Sequence, residues 1–401
     1  MHILFVTDIF DPTLGSEFQV ANKFLQHLGK TKDCEVTLLT LHRGKNKENI
    51  STWMKTGGIK KIYVQYIPMI FSNTDGQHKS KVLFFLDLIR FYLICFNRQR
   101  EYDAVWKCGQ VNFLFNIFFL FFPKLKIMGP LSGFEYPPIR EILKDGDIVL
   151  FIKYSVYSAV IYFSLRIFRL AFYLKKELRY ILFATKKDLE SFPSINIDRG
   201  HVISEIDIRL LLSEIKAKPR FQKNVSSKEL KLLWVGSLVR RKRPIKAAQL
   251  MLLLANKHEN ISCTMVGNGP LEKKVINQGF GSRSDLNLIS GLNRQEVYDL
   301  LRESDLVLVT SWREINSVFL FEVLASNTRV LAPDVSGMSD TVINKSNLFE
   351  LASLNNLTFM KNIALDELVK TTKVENRRTL EIAMLKEEKT ISKILNYIEN
   401  Q

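Results

Sequence analysis

The sequence predicts an α/β protein of two domains, each built on a mostly parallel sheet, with a cleft between them. Three observations predict it. At 401 residues the chain has the length for two domains. Short apolar runs alternate with longer amphipathic ones, the pattern of repeated βα units. The alternation breaks at Ile206 to Glu229, where the chain turns charged and loses its period after Leu212 before a fresh strand begins. The limits that follow are a first domain at 1–205, a linker at 206–228 and a second domain at 229–375. A charged helical end at 376–401 is expected to pack back on the first domain.

In the first half the strands are expected at His2–Thr7, Glu35–Thr40, Lys61–Ile67, Ala104–Lys107, Lys126–Gly129, Tyr180–Ala184 and His201–Ser204. In the second half they are expected at Leu232–Gly236, Ser262–Gly267, Leu286–Ser290, Asp305–Thr310 and Arg329–Ala332. Each is a short apolar run bounded by polar or glycine-containing turns, and helical runs lie between most of them.

Composition limits the class of partner. Apolar residues make up 46% of the chain, which supports full-sized cores and excludes global disorder. Lys and Arg number 57 against 41 Asp and Glu, a net charge of +16, so anions are the expected partners: phosphorylated ligands, nucleic acid or acidic lipid. Cys34, Cys95, Cys108 and Cys263 form no C-x-x-C pair, and each sits in or beside an apolar run. They read as buried thiols in a reducing compartment, not as a metal site. The opening M-H-I-L-F-V-T-D has no basic leader and reads as a first strand. The longest uncharged stretch, Cys108 to Pro123, falls short of the about 20 apolar residues of a membrane span. Two aromatic stretches, Val82–Phe96 and Ile148–Leu174, carry basic residues beside or within them: Arg98 and Arg100 for the first, Lys153, Arg166 and Arg169 for the second. Helices of this kind lie in a bilayer interface, with the net charge adding attraction to anionic lipid. Ordinary domain helices packed on a sheet are the other reading.

The chemistry concentrates in the second domain. The strand ending at Gly236 runs into a basic loop, Arg240-Arg241-Lys242-Arg243, and then a helix from about Pro244, a residue favoured in a first turn. Basic residues just past a strand end suit a diphosphate, and equally a nucleic-acid or lipid patch. One strand later, V-G-N-G-P-L brackets a tight turn with Gly267 and Gly269. A strand, a turn and a capped helix then lead to S-W-R-E-I-N-S-V-F-L-F-E-V-L-A. Glu314 follows a buried strand, and Glu322 lies on an apolar helix that Asn316 or Ser317 caps. An open α/β sheet binds ligands at the carboxyl ends of its strands. Eight helical positions rise about 12 Å. That is too far for carboxylates sharing one bond, which sit roughly 5 to 10 Å apart in glycosidases, but it suits the two ends of one elongated ligand. Helix amides between the carboxylates favour a phosphate, so the pattern describes a nucleotide-sugar site. The alternative is a solvated loop residue and a paired surface charge. In the first half, D-P-T-L-G-S-E-F offers Gly15 for close backbone approach and Ser16 as a helix cap. M-G-P-L-S-G-F-E-Y-P-P brings Gly133 to the same edge of the first sheet.

Taken together, these segments resemble the retaining glycosyltransferases of family 4, whose GT-B fold pairs two Rossmann-like domains with mostly parallel sheets facing a central cleft. The resemblance covers most of the chain and is strongest from Leu232 to Thr341. It rests on the order V-G-S-L-V-R-R-K-R-P, V-G-N-G-P-L, the two glutamates with seven residues between them, and V-L-A-S-N-T-R-V-L-A-P-D. The G-S-E and M-G-P-L-S-G loops look like a branch of that family with G-P-x-G-G loops. The resemblance implies that Lys242 contacts the donor diphosphate, with Arg241 standing in for an arginine whose usual place holds Ser237. It implies that Glu322 holds the ribose hydroxyls, that Glu314 contacts the transferred sugar, and that the amides of Ser317 and Val318 approach the phosphate. Gly15 and Gly267 join the donor side; Ser16 and Gly133 join the acceptor side. The family's usual glycines are replaced by Ser317 and Asn327. Its first-domain histidine has no counterpart, Cys108 and Gln110 standing where it would be.

The implied activity moves a sugar, with retained configuration, from a UDP or GDP sugar to a lipid-linked or oligosaccharide acceptor in bacterial surface-polysaccharide assembly. No cofactor and no metal are expected. The implied place is the anionic inner face of the cell membrane, with no nucleic acid as partner. A non-catalytic GT-B binding or assembly subunit is the first competing class, favoured by the missing histidine and by Ser237 and Asn327. A basic nucleic-acid-binding protein is suggested by charge alone and leaves the ordered donor motifs unexplained. An epimerase or phosphorylase on the same fold is a third.

Overall fold

The computed structural model of the chain describes residues 1–13, 20–31, 34–57, 59, 61–71, 81–108, 113–192, 195, 199–215, 229–258, 260–314, 317–334, 348–349 and 376–400. In chain order these form β1 (His2–Val6), α1 (Asn22–Leu28), β2 (Glu35–His42), α2 (Asn46–Thr56), β3 (Ile62–Pro68), α3 (Lys81–Arg98), β4 (Ala104–Lys107), α4 (Phe113–Phe119) and β5 (Leu125–Leu131). Next come α5 (Ile139–Lys144), α6 (Ile148–Leu174), β6 (Tyr180–Phe183), α7 (Lys186–Glu190), β7 (Gly200–Val202) and α8 (Ile208–Glu214). They are followed by β8 (Leu230–Val235), α9 (Pro244–Lys257), β9 (Ile261–Val266), α10 (Glu272–Ile276), β10 (Leu286–Ile289), α11 (Arg294–Glu303) and β11 (Leu306–Leu308). The last are α12 (Val318–Ala325), β12 (Arg329–Pro333), β13 (Leu348–Phe349) and α13 (Asn376–Glu399). Every strand read from the sequence forms, and the pairings between them are parallel.

Packing divides the chain into two compact units. The first comprises Met1–Glu135, Ile161–Asp207 and Leu385–Gln401; the second comprises Tyr136–Val160 and Ile208–Met384. Tyr136–Val160, assigned from sequence to the first domain, thus falls in the second unit. Its apolar side chains explain this: Ile142, Leu150 and Tyr154 are buried in one cluster with Trp312. Helix α6 starts in the second unit and ends in the first.

The first unit's sheet has the order β3-β2-β1-β4-β5-β6-β7. Its core sets Ile3 and Phe5 of β1 and Val36 and Leu38 of β2 against Phe24, Leu25 and Leu28 of α1. Ile391, Ile394 and Ile398 of α13 join this core at spacings of three and four, one stripe of a helix. Each such buried isoleucine contributes about 1.5–3 kcal/mol. Where the strand order reverses, between β1 and β4, Lys107 Nζ pairs with Asp8 Oδ1 at 2.8 Å, and the Tyr92 hydroxyl donates to the same oxygen at 3.0 Å. The second unit's sheet has the order β10-β9-β8-β11-β12-β13 and reverses between β8 and β11.

Several elements depart from the sequence reading. Strand β5 continues past Gly129 to Leu131, with its pairing to β6 shifting register between Met128 and Leu131. Gly129 makes this possible: its φ is +114°, and a Cβ there would lie 2.3 Å from the Leu182 carbonyl oxygen. Part of the expected linker is helical, because Ile208, Leu211 and Ile215 recur at helical spacing and are buried. The strand before Glu314 is shorter than read, ending at Leu308. Helix α6 runs unbroken for 27 residues and, by length and composition only, could cross a membrane. The sequence reading names the same stretch, Ile148–Leu174, as an interfacial or ordinary domain helix and not as a span. Its outer face exposes Val149, Ile152, Val156, Phe163, Ile167, Leu170 and Leu174, while Leu150, Tyr154, Ile161, Leu165, Phe168 and Phe172 are buried.

Candidate active site

The loops beyond β8 and β11 flank the reversal of the second sheet, the position at which open α/β sheets take ligands. Two glycines set the first of these loops. A Cβ on Gly267 would lie 2.0 Å from the Gly236 carbonyl oxygen, and one on Gly269 would lie 2.8 Å from that of Leu238. Their absent side chains let the segments after β8 and β9 run together. Gly236 N donates to Val266 O at 2.9 Å, Leu238 N to Asn268 O at 2.7 Å and Leu271 N to Leu238 O at 3.0 Å. The observed role of Gly267 is therefore this close backbone approach.

The basic loop is a single 3-10 turn, Arg240–Lys242, closed by Arg243 in the left-handed region at φ 52°. That conformation is costly for a residue with a Cβ. Tertiary contacts hold it: the Arg243 guanidinium lies 3.9 Å from the Trp312 ring centroid and 3.5 Å from Asp145. Burial pulls the Arg243 pKa down to about 10, with Asp145 acting in the opposite direction. The backbone is fixed from the β11 side. Trp312 N donates to Arg241 O at 2.9 Å, and the Thr310 hydroxyl donates to Lys242 O at 2.8 Å while accepting from Trp234 Nε1 at 3.1 Å.

So held, the loop sends its cations in two directions. Arg241 and Lys242 both reach Glu314 Oε1, Arg241 Nη1 at 3.1 Å, and Arg241 Nη1 also donates to Arg313 O at 2.9 Å. Arg240 instead pairs with Asp147 at 2.7 Å, and Lys246 with Asp145 at 3.6 Å. With Arg243, Lys274 and Trp312 these residues line a cavity of about 370 Å³.

Glu314 and Glu322 are both buried, at 7% and 8% exposure, which removes the reading of two ordinary surface charges. Only Glu322 lies on α12; Glu314 precedes it, so the helical rise does not measure their separation. Ser317 is the cap, its Oγ accepting from Leu320 N at 3.4 Å, and Val318 opens the helix. Asn316 lies outside the described residues. After the helix, Asn327 has φ 61°. Asparagine is among the residues that tolerate this region, which explains how it occupies a place where the resembled family carries glycine. Glu322 Oε1 accepts from Arg294 Nε at 3.2 Å and from the Tyr298 hydroxyl at 3.1 Å. Burial raises the Glu322 pKa, and Arg294 and Tyr298 counter it. Burial and the neighbouring Glu322 likewise raise the Tyr298 pKa.

Gly15 and Ser16 lie outside the described residues, as does Gln110. Gly133 lies just past the carboxyl end of β5 in the first unit, at φ 92°, beside Ser132, whose hydroxyl donates to Glu205 at 2.9 Å. Cys108 is buried. Among the described residues no cluster of three His, Cys, Asp or Glu could hold a metal ion. Sequence reasoning missed Arg294 and Tyr298, although one signal was present. Asn293 and Glu296 form a capping box, and Arg294 and Tyr298 at i and i+4 share a face of the helix that box starts. It also missed Thr310 and Trp312, whose roles depend on contacts far apart in sequence.

Residues 216–363 match the family model of the glycosyl transferases group 1. The chain is similar in fold to the lipopolysaccharide outer core galactosyltransferase WaaB, with TM-score 0.62, 14% identity and 100% of both chains covered. It is similar to a sucrose-phosphate synthase from Thermosynechococcus elongatus, with TM-score 0.63, 14% identity and coverage of 99% of this chain and 100% of that one. A further similar structure is "Trehalose-6-phosphate from E. coli bound with UDP-2-fluoro glucose", with TM-score 0.56, 12% identity and coverage of 98% and 96%. No curated protein matches the chain. At these identities the structural likeness is one of fold: two Rossmann-like units of the kind found in GT-B glycosyltransferases.

Proposed function

We propose that the protein is a retaining glycosyltransferase of family 4 that moves a sugar from a nucleoside diphosphate donor to a lipid-linked or oligosaccharide acceptor in surface-polysaccharide assembly. The observation that carries this reading is the convergence of Arg241 and Lys242 on Glu314 at the reversal of the second sheet. When the bond between the anomeric carbon and the diphosphate breaks, negative charge grows on the leaving group. Arg241, Lys242 and the amides at Ser317 and Val318 are the groups that stabilise it. Glu314 contacts the transferred sugar and Glu322 the ribose hydroxyls. The donor's diphosphate competes with Glu314 for the two cations, so binding turns the carboxylate from its ion pairs to the sugar. The acceptor hydroxyl joins the anomeric carbon on the face that the diphosphate leaves. Cationic side chains supply the charge that a metal supplies elsewhere, so the reading needs no metal and no cofactor.

The UDP-2-fluoro glucose in the similar E. coli structure supports a UDP-type donor as the first to try. The test is release of UDP or GDP from nucleotide sugars in the presence of a bacterial membrane lipid extract, with the sugar recovered on lipid. Release that requires the extract is expected. Absence of transfer across the common UDP and GDP sugars would overturn the reading.

The acceptor side rests on the exposed apolar face of α6 and on α3, where Val82, Phe85, Leu86, Leu93 and Phe96 are exposed near Arg98 and Arg100. An amphipathic helix with basic flanks binds anionic bilayers, each Lys or Arg near the surface adding about 1 kcal/mol. We therefore place the protein at the cytoplasmic face of the cell membrane. It is expected to float with anionic vesicles at low salt and to be released at high salt. No flotation at low salt would remove the membrane from this proposal.

A further inference from the structure

We infer that Arg294, seated between Glu214 and Glu322, is a positioning residue that holds the Glu322 carboxylate as an anion with one oxygen occupied and the other presented to the donor. The inference rests on the proposed role of Glu322 in binding the donor's ribose.

Arg294 Nε reaches Glu322 Oε1 at 3.2 Å while its Nη1 lies 3.3 Å from Glu214 Oε2, so two carboxylates on α12 and α8 fix the guanidinium from opposite ends. Its charge also lies over the Tyr298 ring, 5.4 Å from the centroid. Tyr298 is buried, and its hydroxyl donates to the same Oε1. Both hydrogen bonds therefore fall on one oxygen of Glu322, and Oε2 carries none among the described residues. A carboxylate pinned through one oxygen keeps the other in a fixed direction, which a loose carboxylate would have to find on binding.

The second part of the role is electrostatic. Glu322 is buried, and burial favours the neutral acid. Among the described residues the groups acting on it are Arg294 and Tyr298 of α11, which favour the anion, and Glu214 of α8, which opposes it; β12, which also packs on α12, adds none. Arg294 is the largest of the influences favouring the anion. Without it, the carboxyl group should take up a proton at a higher pH and lose the charge that makes it a strong acceptor for ribose hydroxyls.

The experiment measures binding of UDP and GDP to the full chain from about pH 6 to pH 9 for the wild type, Arg294→Gln, Arg294→Lys and Glu322→Ala, with unfolding curves confirming that each variant is folded. Glu322→Ala should weaken binding about 10- to 100-fold at every pH, the loss of hydrogen bonds to a charged group. Arg294→Gln should bind more weakly than the wild type even near pH 9, because the carboxylate is no longer pinned, and fall away further as pH drops, by up to about tenfold per unit below the shifted carboxyl pKa. The wild type should stay flat, and Arg294→Lys should recover most of that flatness. A flat pH profile in Arg294→Gln, with Glu322→Ala still weak, would show that Arg294 does not hold the carboxylate as an anion and would overturn this inference alone. Full binding by Glu322→Ala, or binding of neither nucleotide by the wild type, would overturn the donor-site reading and this inference with it.

Discussion

Replacing Glu314 with alanine is expected to cut sugar transfer by about 100- to 1000-fold, the usual effect of removing one preorganised contact to a transition state. Nucleotide binding should be retained or strengthened. The reason lies in the ion pairs of this carboxylate: Arg241 and Lys242 both spend charge on Glu314, and its removal leaves both for the diphosphate. A variant that binds UDP or GDP as well as the wild type, but turns over hundreds of times more slowly, has lost an interaction made in the transition state. Direct titration of nucleotide alongside kcat separates the two. Parallel loss of binding and rate would show that Glu314 is structural.

The second large effect is expected from Gly267→Ala. A Cβ there meets the Gly236 backbone at 2.0 Å, where no flexible side chain can yield, and its φ of +146° is one that residues with a side chain rarely adopt. Backbone strain and overpacking together should cost about 3 kcal/mol or more. For a unit of this size that lowers the melting transition by roughly 6–12 °C. Gly281→Ala is the control, because Gly281 also has positive φ, +81°, but has no atom within 4 Å of an added Cβ. It should cost only about 1–2 kcal/mol. Equal shifts in the two variants would mean that the close approach of the two loops contributes nothing.

The parallel strands were legible in the sequence because strands buried on both faces read as unbroken apolar runs. The reversal of the second sheet was not read from the sequence, although charge and glycine gather in the segments after β8, β9 and β11. Glu314 and Glu322 stood out because each follows or enters an apolar element. What could not be read was who neutralises whom. Lys242 and Glu314 lie 72 positions apart, Arg294 and Glu322 28 apart, and Lys107 and Asp8 99 apart. Nothing in a linear pattern marks such partners until strand order brings them together. Tyr136–Val160 was misassigned for the same reason: its periodicity identifies helices, but periodicity does not say which sheet they cover.

The Asp145-Gly146-Asp147 turn gives that last point a practical edge. A fragment begun at 229, the boundary that sequence alone recommends, would keep the β8 loop and both glutamates yet shed the counterions of Arg240, Arg243 and Lys246 and the apolar cover of Trp312. The second unit of this protein is thus not contiguous in the gene. Part of its foundation is encoded some 70 codons upstream of its own first strand, and any dissection into halves must carry that piece across.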